Sequence, residues 1–325
     1  MLLKTLKGRH ILLLIFVPFI ILAFWIPVFI NPISLTGDIP QMPLYHLMQV
    51  ITGHNLLVLN SFGLLLLVLL AFLMVRLNER FVFIRQRTDL PAFILAIIAS
   101  GTISLKGVHP SLFAAFILFF AIDKMFSVYH DSRTLSKSFD IGLLIGLASL
   151  FYLFAALYMV WFCFSLLVLG YFRGREVLAG ITGFLTPIFF VVGWYFWFDG
   201  LPFFTDTIQR LISVNQLSMQ SSLFQDIFWG FLGFLVVISS LYMINVVEEK
   251  KISSRKYFMI LLIFFLIAVF LYFLIPGAGI ELYFIAIIPV TYILSHYFVL
   301  QKHRWIGEIL FSALILSSVL LAFLR

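Results

Sequence analysis

The chain has 325 residues, 63% of them hydrophobic and 11% charged, and a mean hydropathy of +1.15. Soluble domains are about 45–50% apolar and about 25% charged, so an ordinary water-soluble enzyme is excluded and a polytopic membrane protein is indicated. The net charge of +7, from 21 basic and 14 acidic residues, is scattered over short loops; it forms no basic, aromatic-interleaved surface, which excludes a nucleic-acid partner.

The N-terminal stretch carries Lys4, Lys7 and Arg9 ahead of an apolar run over 11–30. That run is too long for a signal-peptide core and lacks a small-x-small cleavage site, so a retained first helix is expected. Further apolar runs follow at 56–75, 90–105, 111–129, 141–155, 157–172, 178–198, 226–246, 258–275, 282–299 and 306–324. Period-two alternation of the outer-membrane barrel kind is absent. The expected fold is therefore all-α, a polytopic transmembrane helical bundle of about eleven spans. It forms a single transmembrane domain over residues 1–325. No polar stretch is long enough for an ATPase or nucleotide-binding module. Cys163, the single cysteine, lies inside a span and makes no internal disulfide.

The run from 141 to 172 is free of charge and flanked by Asp140 and Arg173. One span would put a flank on the wrong side, so a tight hairpin near "FYLFAALY" is expected, joining two short helices. Gly142 and Gly146 form a Gly-x-x-x-Gly pair that permits close helix contact. Loop charge sets the orientation. With the N-terminus cytoplasmic, all of the 21 basic residues except Lys106, Arg210 and Arg325 fall on inner loops, as the excess of Lys and Arg on that side requires.

On this threading four outer segments hold the unusual polar residues. The first, over 31–55, contains "LTGDIPQMPLYHLM", in which Asp38 is the only acidic residue before Glu79. Asp38 reads either as the N-cap of a helix over 39–51 or as a carboxylate fixed above a membrane cavity, able to accept a proton. The same segment holds His46 and His54, which lack a third partner for a zinc site. The second segment, "SLKGVHP", has Lys106 and His109. The third, 199–225, spaces Phe204, Ile208, Leu211, Ile212, Leu217 and Phe224 along one side of a helix over 203–224. This describes an outer amphipathic segment lying in the interface. Asp206 and Arg210 stand four apart on its polar side and can pair. Arg210 alternatively grips the phosphate of a bound lipid. The fourth, "PGAGIE", ends in Glu281.

Two features resemble the GT-C superfamily of polytopic glycosyltransferases. One is the first helix followed by an outer loop with an acid. The other is "FDIGLLIGLASLFYLFAALYMVWFCFSLLVLGYFRGREVLAGITGFLTPIFFVVGWYFWFDG": a glycine-rich helix, a short outer hairpin, a second helix, a basic inner turn and a Gly-Phe-x-x-Pro helix. The whole chain is also similar to an uncharacterised family of bacterial multi-pass membrane proteins of about this length.

The GT-C resemblance implies an enzyme that takes a sugar from a polyprenyl-phosphate donor, itself a membrane lipid. The sugar passes to an envelope-protein or glycan acceptor on the outer face. Asp38 falls where the family places its catalytic acid, and on that reading it takes the proton of the acceptor hydroxyl. Lys106, His109 and Arg210 hold the donor phosphate, and His46, His54 and Glu281 contact substrate. Many relatives carry a paired acid where this chain has a lone Asp. A single base without a second carboxylate implies inversion at the sugar carbon. A divalent cation, Mg²⁺ or Mn²⁺, can bridge Asp38 to the phosphate, although no dedicated cage is visible. The implied location is the bacterial cytoplasmic (inner) membrane, with the N-terminus cytoplasmic. Two other readings stay open: a transporter or flippase for a lipid or small solute, and a noncatalytic subunit of an envelope assembly. The middles of the spans hold almost no ionisable residue, which speaks against coupled ion transport.

Overall fold

The computed structural model describes residues 11–30, 32, 41–84, 86–101, 107–129, 133–213, 223–247, 252–301 and 304–323. Asp38, Lys106 and positions 214–222 lie outside this set. The described chain is all-α, with no strand among the described residues. Its helices are α1 (Ile11–Ile30), α2 (Pro43–Ile51), α3 (Leu56–Phe81), α4 (Leu90–Gly101), α5 (Pro110–Val128), α6 (Thr134–Phe151), α7 (Tyr158–Leu169), α8 (Gly174–Trp197), α9 (Leu201–Ser213), α10 (Leu223–Val247), α11 (Ile252–Leu274), α12 (Tyr283–Leu300) and α13 (Arg304–Phe323). Each apolar run predicted as a span contains a helix among the described residues. Among the described residues seven helices are long and apolar enough to cross a membrane: α3, α5, α6, α8, α10, α11 and α12. At 1.5 Å per residue, 18 residues reach about 27 Å, close to the thickness of a bilayer core. The other apolar helices, α1, α4, α7 and α13, have shorter apolar stretches.

Burial separates the centre from the rim. The apolar window of α12 is 89% buried and that of α8 only 17%. α12 packs against α4, α5, α10 and α11. Two of its tyrosines tie it to main-chain carbonyls: Tyr283 Oη donates to Ile98 O of α4 at 2.7 Å and Tyr292 Oη to Met74 O of α3 at 2.8 Å. A buried hydroxyl in an apolar medium needs such a partner. α8 instead turns Phe189, Phe190, Trp194 and Trp197 outward, as a lipid-facing helix does.

The expected hairpin is present. α6 ends at Phe151, a 3-10 turn covers Leu153–Leu157, and α7 runs back. The glycine pair faces α8, which lies parallel to α6. A Cβ at Gly142 would run into the Gly180 carbonyl, and one at Gly146 into the carbonyl of Phe184 and the ring of Pro187. Small residues are what let the two backbones approach. The opposite end of the bundle from this hairpin is basic. There Arg80 Nη1 grips both oxygens of Asp123 at 3.1 and 3.0 Å, and Lys124 Nζ meets Asp140 at 2.8 Å.

Two boundaries differ from expectation. The helix expected over 39–51 begins at Pro43, and its N-cap is Met42, not Asp38. The proline forces the residue before it out of the helical region, and Met42 is extended at φ −62°, ψ 150°. The helix therefore cannot run back toward Asp38. In the 203–224 segment, α9 covers Leu201–Ser213, burying Phe204 and Thr207 and half-burying Ile208 and Leu211. Ile212 is 55% exposed, because a step of one residue from Leu211 turns it about 100° away from that face.

Candidate functional site

Val108 lies in the loop that enters α5, and it is clamped from both sides. Its N–H donates to Asn60 Oδ1 of α3 at 3.1 Å, and its carbonyl accepts from Tyr45 Oη of α2 at 3.0 Å. Asn60 and Tyr45 are both buried. This clamp fixes the residue that follows, His109, which is the N-cap of α5 with Pro110 in the first helical turn. The arrangement follows local rules: an extended residue before proline, with an acceptor side chain for the exposed N–H groups of the new helix. The acceptor is His109 Nδ1, which takes the Ser111 N–H at 3.3 Å and lies 3.0 Å from Ser111 Oγ.

A backbone N–H can only donate, so the nitrogen that accepts it carries no proton. His109 therefore holds its proton on Nε2, and Nε2 donates to Glu281 Oε1 at 2.5 Å. The His109 side chain is 4% exposed and that of Glu281 14%. Glu281 comes from the other end of the sequence, in the 3-10 turn Ile280–Leu282 that leads into α12. It sits just ahead of that helix, where the partial positive charge of the helix start favours a carboxylate.

Around this pair opens a half-open cavity of about 400 Å³, counted with the solvent at its mouth. Its polar lining is Gln41, His109, Tyr152 and Glu281, and its apolar wall includes Met42, Phe151, Leu153, Phe154 and Leu211. The cavity thus joins the start of α2, the hairpin between α6 and α7, the end of α9 and the turn before α12. Tyr152 is the hinge residue of the hairpin. Its ring meets the His109 ring edge-on at 6.4 Å. The residue is 6% exposed, and its hydroxyl makes no hydrogen bond among the described residues. A buried hydroxyl left so costs about 1–3 kcal/mol. Burial, and behind it the negative charge of Glu281, push the Tyr45 and Tyr152 hydroxyls above the usual tyrosine range. Both stay O–H donors.

The predicted site residues divide into groups. His109 and Glu281, far apart in the chain, meet directly. Arg210 is beside the cavity-lining Leu211 but points its Nε at Asp206 Oδ2, 2.8 Å away, in the expected i,i+4 pair. Both side chains are more than half exposed, and such pairs contribute about 0.3–0.5 kcal/mol. His46 and His54 are exposed on and just after α2 and do not line the cavity. Asp38 and Lys106 lie outside the described residues; Gln41 and His109, each three positions further on, line the cavity.

Sequence reasoning missed Tyr152, which is hidden inside the apolar "FYLFAALY" run, and the pairing of His109 with Glu281. The one available signal for Tyr152 was a hydroxyl at the turn of a membrane hairpin.

A resident Mg²⁺ or Mn²⁺ does not fit the described residues. No three His, Cys, Asp or Glu among them converge, and both nitrogens of His109 are engaged within the protein. No known protein family matches the chain, and no curated protein or solved structure is significantly similar to it.

Proposed function

We propose that the chain is a membrane transferase of the GT-C kind. It moves a glycosyl group from a polyprenyl-phosphate donor to an acceptor hydroxyl at the cavity end of the bundle. The observation that carries this reading is Glu281, a carboxylate held by His109 within a largely apolar, half-open cavity. Such a cavity suits a substrate that arrives from the bilayer, and the fixed carboxylate suits a proton acceptor. Glu281 Oε1 is taken by His109, which leaves Oε2 for the acceptor hydroxyl. The hydroxyl oxygen attacks the sugar carbon as its proton passes to Oε2. The bond from that carbon to the phosphate oxygen breaks, and the electron pair leaves on the phosphate. One displacement inverts the carbon. His109 acts through Glu281 as a positioning residue. On this reading Arg210, next in sequence to the cavity-lining Leu211, leaves Asp206 to attract the departing phosphate.

All eleven apolar helices cross the membrane on this reading. The N-terminus is cytoplasmic, the cavity faces outward, and the location is the bacterial cytoplasmic membrane. The basic end supports that orientation, with Arg80, Lys124, Arg173 and Arg175 opposite the cavity. Single cysteines at Thr205 and Arg173, in a Cys163→Ala background, test it: the first should react with an impermeant thiol reagent from outside and the second only after lysis.

The decisive assay supplies proteoliposomes with short-chain polyprenyl-phosphate sugars and acceptor glycans and follows release of the lipid phosphate. Glu281→Gln should slow release by about 100-fold or more. If Asp38→Asn abolishes release while Glu281→Gln retains it, the proton acceptor is Asp38. If no donor is consumed while lipid or solute crosses the liposome wall, the transporter reading takes its place.

A further inference from the structure

We propose that the described cavity is a subsite for a neutral, hydroxyl-bearing ligand, the end of a sugar or other polyol, and that Tyr152 is its positioning donor. Two groups of opposite character line the same space. Tyr152 Oη is buried and makes no hydrogen bond among the described residues. Glu281 has one oxygen occupied by His109, and the other makes no hydrogen bond among the described residues. A hydroxyl group both accepts and donates. It is the simplest group that satisfies the two together: its oxygen takes the Tyr152 proton, and its own proton turns to Glu281.

A phosphate suits this space poorly. It offers acceptors only, and its charge is repelled by Glu281. No Lys or Arg lines the cavity among the described residues. The phosphate-binding role expected of His109 is likewise not served by its geometry, because Nε2 is committed to Glu281 and Nδ1 to Ser111. Phe151 and Phe154 give the cavity an apolar wall, which suits the C–H groups beside a ligand hydroxyl. Calling this ligand the acceptor rests on the transferase reading; its chemical class does not.

The test uses the full chain in lipid nanodiscs, with methyl β-D-glucopyranoside and methyl phosphate as probes. Binding is followed by ligand-observed NMR and stability by thermal midpoint. Wild type should bind the glucoside at least about tenfold more tightly than the phosphate. Tyr152→Phe should weaken the glucoside by about tenfold, the ratio that one hydrogen bond supplies. Its midpoint without probe should equal or exceed that of wild type, since a hydroxyl without a partner is being removed. Unchanged glucoside affinity in Tyr152→Phe, a preference for phosphate, no glucoside binding to wild type, or a lowered midpoint would each overturn the proposal. Failure of wild type to transfer any sugar would remove the transferase reading and leave these binding results standing.

Discussion

His109 makes two bonds of different kinds, and two substitutions separate them. Its Nδ1 caps α5 through the Ser111 N–H, and its Nε2 holds Glu281. Asn is a good N-cap, but its side chain is too short to reach Glu281. Ala can make neither bond. Loss of an N-cap costs about 0.5–2 kcal/mol, and loss of a hydrogen bond to a charged group about 1.5–3 kcal/mol. His109→Asn should therefore destabilise the protein by about 1.5–3 kcal/mol and His109→Ala by about 2–5 kcal/mol. Unfolding titrations from mixed micelles measure the difference directly. In the same samples, ¹⁵N chemical shifts should show a protonated Nε2 and a bare Nδ1. Both variants should lose transfer to a similar degree, because both release Glu281. If His109→Asn is as stable as wild type, the Glu281 bond contributes nothing. Should the two variants be equally unstable, the cap is not made, and the reasoning about the tautomer goes with it.

Other consequences are open to measurement. Gly142→Ala drives a methyl into the backbone of α8 and should cost about 1–3 kcal/mol or more. Gly193→Ala, where an added Cβ meets nothing within 4 Å, should be neutral or stabilising by up to about 1 kcal/mol. Equal losses at the two sites in a melting comparison would contradict the packing described. Tyr45→Phe leaves the Val108 carbonyl buried without its partner and should cost about 1–3 kcal/mol; a stability unchanged on chemical unfolding would dissolve the clamp. Asp206→Ala should move stability by no more than about 0.5 kcal/mol, and a larger loss in the same titration would give the α9 pair a weight its exposure does not support.

The apolar helices were legible because a bilayer demands long hydrophobic runs, and few other structures supply them. The Gly142–Gly146 contact was legible because close backbone approach leaves little choice of residue. The start of α2 was misread because Asp38 is a good cap in isolation, while the nearer Pro43 decides where the helix can begin. His109 and Glu281 were each noticed as odd polar residues. Their meeting was not foreseen, because no local pattern links a loop before α5 to a turn before α12. Tyr152 was missed for the reverse reason: surrounded by Phe, Leu and Ala, it reads as one more bulky residue in an apolar run.

The placement of α12 bears on how the protein is made. A ribosome emits this segment after α3, α4, α5, α10 and α11, so one of the most deeply buried helices arrives after the partners it packs against. Until then the Ile98 and Met74 carbonyls await their tyrosines. Chains arrested before residue 283 would lack both their axis and Tyr283, so quality-control proteases should clear them faster than chains arrested beyond residue 300.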